Sequence, residues 1–220
     1  MLHSGGRVIH GSVLCLLPML SAGRPCRAHE PAVRPGTVTI YTEFARRPSA
    51  LSVQYMRTEL EAIMAPLGLH FDWRPLGDVT GHQVQPELVV VRFQGECQSE
   101  ARLPLEMKAG PLGWTHVSDG EILSFTNVDC DRIRDLMTSP LVGTVPAERA
   151  RVLGRAMARV LAHELYHCFT NTDKHSASGI AKASFTGAEL AAACLRFEEA
   201  QLDALREALH LEAGASSSPR

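Results

Sequence analysis

Short apolar segments, many of them rich in β-branched residues, recur along the first part of the chain and predict β-strands. Some alternate apolar with polar residues, as in a strand with one buried face, and one is almost continuously apolar. The last two segments flank Asp119 and Gly120, a pair typical of a tight hairpin turn. The predicted strands occupy residues 37–42, 69–73, 87–93, 114–117 and 122–125.

Apolar residues at three- and four-residue steps predict helices between and after these strands. The first opens at Pro48, and its apolar stripe stops at Pro66. A C-terminal helix begins after Thr186, where Glu189 in the third position completes a capping-box pattern, and it is expected to continue to Leu211. With the long helix described next, the pattern favours an α+β fold in which two helices back a twisted mixed sheet.

The longest helical pattern covers residues 146–168. Pro146 is suited to a first turn, and Thr144 is available as an N-cap. A buried apolar stripe along this segment continues into His163 and His167. The arginines of the segment are expected to lie largely away from that stripe: Arg149, Arg151, Arg155 and Arg159.

The segment from His163 to His167 has the pattern His-Glu-x-x-His. Residues four apart share one face of a helix, so the two imidazoles can bind a single metal ion, while Glu164 reaches a water molecule bound to it. Zinc in such a site lowers the pKa of water toward neutrality, and a nearby carboxylate accepts its proton as the water attacks a carbonyl. The pattern therefore predicts that His163 and His167 bind zinc and that Glu164 is the general base. Tyr166 faces away and is expected to pack.

A third ligand is required, and two residues are candidates. Asp173 lies ten residues after His163, which is the spacing of the last ligand in the metzincin pattern, and His175 lies two residues further on. The glycine of that pattern falls on Thr170, which does not readily adopt the left-handed backbone conformation of a sharp turn. We therefore expect His175 at the metal, with Asp173 as the alternative or as a residue that orients a ligand histidine.

The stretch 163–182 resembles a group of uncharacterised exported bacterial proteins, frequent in acidobacteria, that look like metzincin-type zinc peptidases. In that group a histidine follows the His-Glu-x-x-His helix after a short loop, and a Ser-x-x-Gly-Ile/Leu-Met/Ala-Lys/Arg run comes next. The corresponding run here is Ser176 to Lys182, with Ala181 where relatives often carry methionine. The similarity extends over residues 87–93 and 113–131.

The resemblance implies a metzincin-like zinc peptidase fold and favours His175 as the third ligand. It also implies that an edge strand beside the metal helix pairs with an extended peptide substrate. The candidate edge strands are 114–117 and 122–125, since they are the last hairpin before the metal helix. Because such pairing recognises backbone more than side chains, an endopeptidase of loose sequence preference is expected.

Composition and the N-terminal segment indicate where such a protein acts. The chain has 220 residues, 21% of them charged, and a net charge of −2, which gives no bias toward nucleic acid. Residues 1–28 have the charged start, apolar stretch and small residues of an export signal, followed by a linker at 29–36. No other stretch approaches the length of a membrane span. A secreted or periplasmic domain at 37–212 is expected, with a disordered tail at 213–220.

The export signal predicts an oxidising compartment, where disulfides form. Cys97 and Cys130 each follow a strand-like segment and are expected to pair. Cys168 and Cys194 either pair with each other or remain buried thiols.

Other polar residues favour structural roles. His116, in the predicted hairpin, is expected to be a surface or satisfied core residue rather than a cleft residue. Asp129, Asp131 and Asp135 lack the spacing of a calcium loop and are expected to cap a helix and remain solvated.

Together these patterns predict a secreted or periplasmic zinc metalloendopeptidase that acts on peptide or protein substrates. Zinc is bound by His163, His167 and His175, with Glu164 as the general base. Two alternatives remain: a non-catalytic exported domain that is stabilised by zinc and binds a partner, and a metal-free exported binding domain.

Overall fold

The computed structural model describes residues 36–78, 88–98 and 110–211. The predicted export signal and C-terminal tail lie outside these residues. The expected linker overlaps them at one position, Gly36, which begins the first strand. Within the described residues, no helix combines the length and apolar character that crossing a membrane requires.

One five-stranded sheet organises the described part of the chain, in the order β2-β1-β3-β5-β4. Strands β1, β2, β3 and β5 run parallel, whereas β4 pairs antiparallel with β5 and stands at the edge. The predicted mixed sheet and hairpin are confirmed, and each strand contains or closely matches its predicted segment. The strands are β1 (Gly36–Arg46), β2 (Leu69–Pro75), β3 (Leu88–Glu96), β4 (Gly113–Ser118) and β5 (Glu121–Asp129).

Two helices, α1 and α4, pack against each other and against the sheet, and they enclose the core with it. Gly154 allows their close approach, because a Cβ at this position would lie 2.4 Å from the Ser52 backbone oxygen of α1. The prediction of a sheet with two main helices is confirmed, although two short helices were not predicted. The helices are α1 (Ala50–Met64), α2 (Cys130–Leu136), α3 (Thr138–Leu141), α4 (Pro146–Thr170), α5 (Gly187–Ala191) and α6 (Glu199–Ala208).

Helix α4 differs from its prediction in two details. Its N-cap is Val145 without a side-chain hydrogen bond, and the Thr144 hydroxyl instead donates to the Leu141 carbonyl at 2.8 Å. Arg159, expected away from the buried stripe, is fully buried. Its guanidinium donates to Glu59 of α1 and to the carbonyls of Glu189 and Leu190 in α5. Arg159 therefore joins three helices from inside the core.

The C-terminal region forms two helices rather than the single one expected. Thr186 and Glu189 form the predicted capping box of α5, but α5 ends at Ala191. The carbonyls of Ala191 and Ala192 accept hydrogen bonds from the Arg155 guanidinium. Guanidinium groups of α4 thus satisfy carbonyls at the end of α5 that have no partner within the helix, and the chain turns before α6 begins.

The predicted disulfide between Cys97 and Cys130 is confirmed, with 4.8 Å between the Cα atoms, and it joins the end of β3 to α2. Both alternatives for Cys168 and Cys194 are wrong. They do not pair with each other, because Cys168 is a free thiol, and they are not two buried thiols, because Cys168 is only partly buried and Cys194 is disulfide-bonded. Asp129 is the N-cap of α2 and accepts the Arg132 amide at 3.0 Å, in agreement with its expected capping role.

Candidate metal centre

Three histidines converge at the C-terminal end of α4. His163 and His167 lie one turn apart on the buried face of the helix, and His175 reaches them from the loop that follows. Each offers one ring nitrogen, and these nitrogens all lie within 4.8 Å of one another. Such a set of imidazole nitrogens suits a divalent transition metal ion.

The hydrogen bonds of the two helix histidines determine which ring nitrogen carries the proton. Nδ1 of His163 lies 2.8 Å from the Ile180 carbonyl oxygen, and Nδ1 of His167 lies 2.5 Å from that of Thr172. A carbonyl oxygen only accepts, so both Nδ1 atoms carry hydrogen and both neutral rings have bare Nε2 lone pairs. These two Nε2 atoms are 3.1 Å apart. Facing lone pairs repel unless a cation lies near both, so the donor set fits a metal ion.

The turn after α4 explains how His175 reaches the cluster. Helix α4 continues through Thr170, and Asn171 adopts the left-handed conformation with φ 45°. Asparagine tolerates this conformation far better than threonine, so the reversal occurs one residue after the position of the metzincin glycine. Asp173 borders the adjoining cavity and is not a member of the cluster.

A second loop holds His163 in orientation. The Ser176 amide donates to the Ala181 carbonyl at 2.8 Å, and the Ile180 amide donates to the Arg196 carbonyl at 3.2 Å. Gln201 of α6, which is buried, donates to the Ser178 carbonyl at 2.7 Å. The loop is thus fixed by α6 and presents the Ile180 oxygen to His163. Sequence reasoning missed this role of Gln201, since nothing in the local pattern of α6 indicates it.

Burial governs the protonation of the two helix histidines. It lowers the pKa of His163 to about 4 and also lowers the pKa of His167. The negative charge of Asp173 acts in the opposite direction on the pKa of His167, although more weakly than burial. At neutral pH these rings are uncharged and able to act as ligands.

Glu164 lies beside the histidines and against the edge strand. Its side chain is buried, and desolvation raises the pKa of its carboxyl to about 7. Oε2 accepts a hydrogen bond of 2.8 Å from the Thr115 hydroxyl of β4. Gly113 of the same strand is also close, since a Cβ at this position would come within 2.8 Å of Oε1. A group with this pKa beside a metal site can exchange protons near neutral pH.

The tip of the β4–β5 hairpin is attached to the end of α4. The Asn171 side-chain oxygen accepts a hydrogen bond from the Ile122 amide at 3.0 Å, and the Cys168 thiol donates to the Leu123 carbonyl at 3.5 Å. The register of the hairpin shifts between Thr115 and Val117, because β5 has extra residues there. This irregularity bends the tip toward the helix.

A cavity of about 540 Å³ opens between β4 and the histidine cluster. Much of its lining is apolar, and Arg132 and Asp135 also border it. Phe185 meets the His163 ring edge-on, with 5.6 Å between ring centres. The apolar lining includes Leu112, Leu136, Val160 and Phe185.

Two other residues have structural contacts. His116 does not border the cavity; its Nε2 accepts a hydrogen bond of 2.8 Å from the Asn127 side-chain amide, and its ring packs on Phe125. Tyr166 is buried and packs against Phe197, with 5.9 Å between ring centres.

No family model matches this sequence, and no curated protein is similar enough to match it.

Proposed function

We propose that the protein is a zinc-dependent metallopeptidase. The observation that carries this proposal is the convergence of His163, His167 and His175 beside the buried carboxylate of Glu164. Three imidazole ligands, with an adjacent carboxylate that serves as base and does not bind the metal, are typical of hydrolytic zinc sites. Zinc held by the three histidines supplies a Lewis acid that polarises a carbonyl and lowers the pKa of water.

Glu164 performs the proton transfers in this proposal. Its carboxylate accepts a proton from the attacking water and delivers it to the amide nitrogen as the C–N bond breaks. In the metal-free protein, burial raises the pKa of this carboxyl to about 7, so the group can gain or lose a proton near neutral pH. The Nδ1 contacts of His163 and His167 with backbone carbonyls keep the ring orientations fixed.

The position of β4 supports a peptide as substrate. In the described residues β4 pairs with β5 on one side only, and it borders the cavity beside Glu164. An extended peptide that pairs with this free edge runs past the histidine cluster, as in metzincin-like peptidases. Strand β5 is interior to the sheet, so of the two strands predicted as an edge only β4 has that place. Backbone pairing favours unfolded or extended chains of varied sequence.

The Cys97–Cys130 disulfide supports action outside the cytoplasm, since disulfides persist in oxidising compartments. We place the protein in the periplasm or the extracellular space, in agreement with the sequence of residues 1–28.

Metal analysis and proteolysis test this function together. The purified protein is expected to contain one zinc per chain and to cleave an unfolded protein substrate. A chelator should abolish the cleavage and added zinc should restore it. Glu164→Gln should retain zinc and lose turnover, whereas Glu148→Gln, a control in the first turn of the same helix, should retain both.

Cleavage that persists in Glu164→Gln would exclude Glu164 as the base. Zinc binding without cleavage of any peptide would favour the non-catalytic binding domain, and a chain that binds no zinc would overturn both.

A further inference from the structure

We infer that Thr115 is a positioning residue that holds the Glu164 carboxylate in place beside the histidine cluster. The inference rests on the proposed hydrolytic function and adds to it a residue outside the His-Glu-x-x-His motif. It is carried by one contact between the edge strand and the metal helix, across 49 residues of sequence.

The contact is specific to one carboxylate oxygen. The Thr115 hydroxyl donates to Oε2 of Glu164 at 2.8 Å, and a carboxylate can only accept, so the direction of the bond is determined in the ionised state. Within residues 36–78, 88–98 and 110–211, no other group donates a hydrogen bond to this carboxylate. The bond engages Oε2, and Oε1 accepts no hydrogen bond from the described residues.

Strand β4 restricts the carboxylate from a second direction. The Cα of Gly113 faces Glu164, and the space that a Cβ would fill is taken by Oε1 and Cγ, at 2.8 and 2.9 Å from the Cβ position. Gly113 and Thr115 lie on the same face of β4, because residues two apart in a strand share a face. The strand thus provides a close wall and a hydrogen-bond donor on one side of the same side chain.

Glutamate requires such support because its side chain has three rotatable bonds, the last of which turns the carboxylate. Proton transfer from water needs a heavy-atom distance of roughly 2.6–3.2 Å, and a misplacement of about 1 Å costs on the order of 100-fold in rate. A threonine is well suited to this task, because its β-branched side chain has few rotamers in a strand.

Thr126 provides a matched control. It pairs with Thr115 across the hairpin, it is fully buried, and its hydroxyl donates to the Trp114 carbonyl at 3.0 Å rather than to Glu164. Thr126→Val therefore removes a neighbouring hydroxyl and one hydrogen bond of the same hairpin without removing the contact with the carboxylate.

The test compares steady-state kinetics and crystal structures of Thr115→Val, Thr115→Ser and Thr126→Val. Thr115→Val should lower kcat by about 10- to 100-fold with KM changed less than about threefold, because positioning acts on the chemical step. Thr115→Ser should restore kcat to within about fivefold of the original protein, and Thr126→Val should remain within about threefold. Zinc content should be unchanged in all three.

The structures decide the inference even if the protein hydrolyses nothing. In Thr115→Val the Glu164 carboxylate is expected in a different or multiple orientation, and in Thr115→Ser in its original one. An unmoved carboxylate in Thr115→Val, or a kcat within twofold of the original, would overturn the positioning role. A displaced carboxylate in a zinc-loaded protein that cleaves no peptide would instead support positioning and overturn the proposed peptidase function.

Discussion

Asn171 accepts a hydrogen bond from the Ile122 amide through its side chain while its own backbone has the left-handed conformation. One residue therefore reverses the chain after α4 and fastens the β4–β5 hairpin to the helix end. The first role brings His175 back toward His163 and His167. The second keeps the hairpin beside the cavity that borders these histidines.

Two substitutions separate the roles of Asn171. Asn171→Gly keeps the backbone conformation and removes the contact with Ile122, which is expected to cost about 1 kcal/mol in the free energy of unfolding. Asn171→Ala loses the contact and also strains the turn, so it should cost roughly 1 kcal/mol more. Urea denaturation measures the free energy of unfolding of both variants. Hydrogen exchange at the Ile122 amide should accelerate in each variant. Equal stabilities of the two variants would show that the left-handed conformation is not costly here.

The choice of third ligand is tested by metal affinity. Loss of a group that only supports a ligand weakens metal binding by up to roughly 100-fold. His175→Ala should weaken zinc binding by more than this, because it removes a ligand. Asp173→Asn should reduce affinity by no more than about tenfold, because Asp173 influences His167 through its charge. Competition with a chromophoric chelator gives the zinc dissociation constants of both variants. A larger loss in Asp173→Asn than in His175→Ala would make the aspartate the ligand.

The buried carboxyl of Glu164 predicts a pH dependence of stability in the metal-free protein. Its pKa rises from an ordinary 4.5 to about 7 on folding, so between these values the folded chain binds a proton that the unfolded chain does not. Stability from this group is complete below pH 4.5 and is lost as pH rises through 7. Glu164→Gln removes this pH dependence. Its free energy of unfolding should exceed that of the original protein by an amount that grows to about 3 kcal/mol as pH rises from 4 to 8.

Denaturation of both proteins in chelator, at several pH values, measures this difference, and the histidine contributions common to both proteins cancel. A difference that does not change with pH would show that burial in the folded protein does not raise the pKa of Glu164.

Glu59 forms ion pairs with three arginines between α1, α4 and the segment after α5. It contacts Arg159 and Arg196 at 3.0 Å and lies 3.7 Å from Arg155. Because Arg159 is fully buried, Glu59→Gln leaves its charge poorly compensated and should destabilise the fold by about 3–5 kcal/mol. Glu61→Gln, an exposed control on the same helix, should change stability by less than about 0.5 kcal/mol. Thermal or urea unfolding compares the stabilities of the two variants. Equal losses in the free energy of unfolding would show that the ion pairs of Glu59 with the three arginines do not stabilise the fold.

Local pattern was sufficient for most of the secondary structure. The apolar periodicity of residues 146–168, the capping box at Thr186 and the turn at Asp119 and Gly120 all depend on neighbours within a few residues, and each is found in the structure. The i and i+4 spacing of His163 and His167 is of the same kind, since helix geometry alone places both rings on one face.

Contacts between distant segments decided the rest. At the break after Ala191 the carbonyls are bound by Arg155, 36 residues earlier in the chain, and the buried Arg159 is paired with Glu59, 100 residues earlier. The sequence left Asp173 and His175 as alternatives, since the path of the loop depends on the turn at Asn171 and on its contact with the hairpin.

The sequence by itself determined that two imidazoles and a carboxylate share a helix end, because the helical repeat acts over four residues. Only the tertiary structure decided what surrounds them: Thr115 on the carboxylate, the Ile180 oxygen on His163, and His175 within reach of both helix histidines. These neighbours come from segments far apart in sequence, and their positions depend on strand order and loop packing, which no local periodicity encodes.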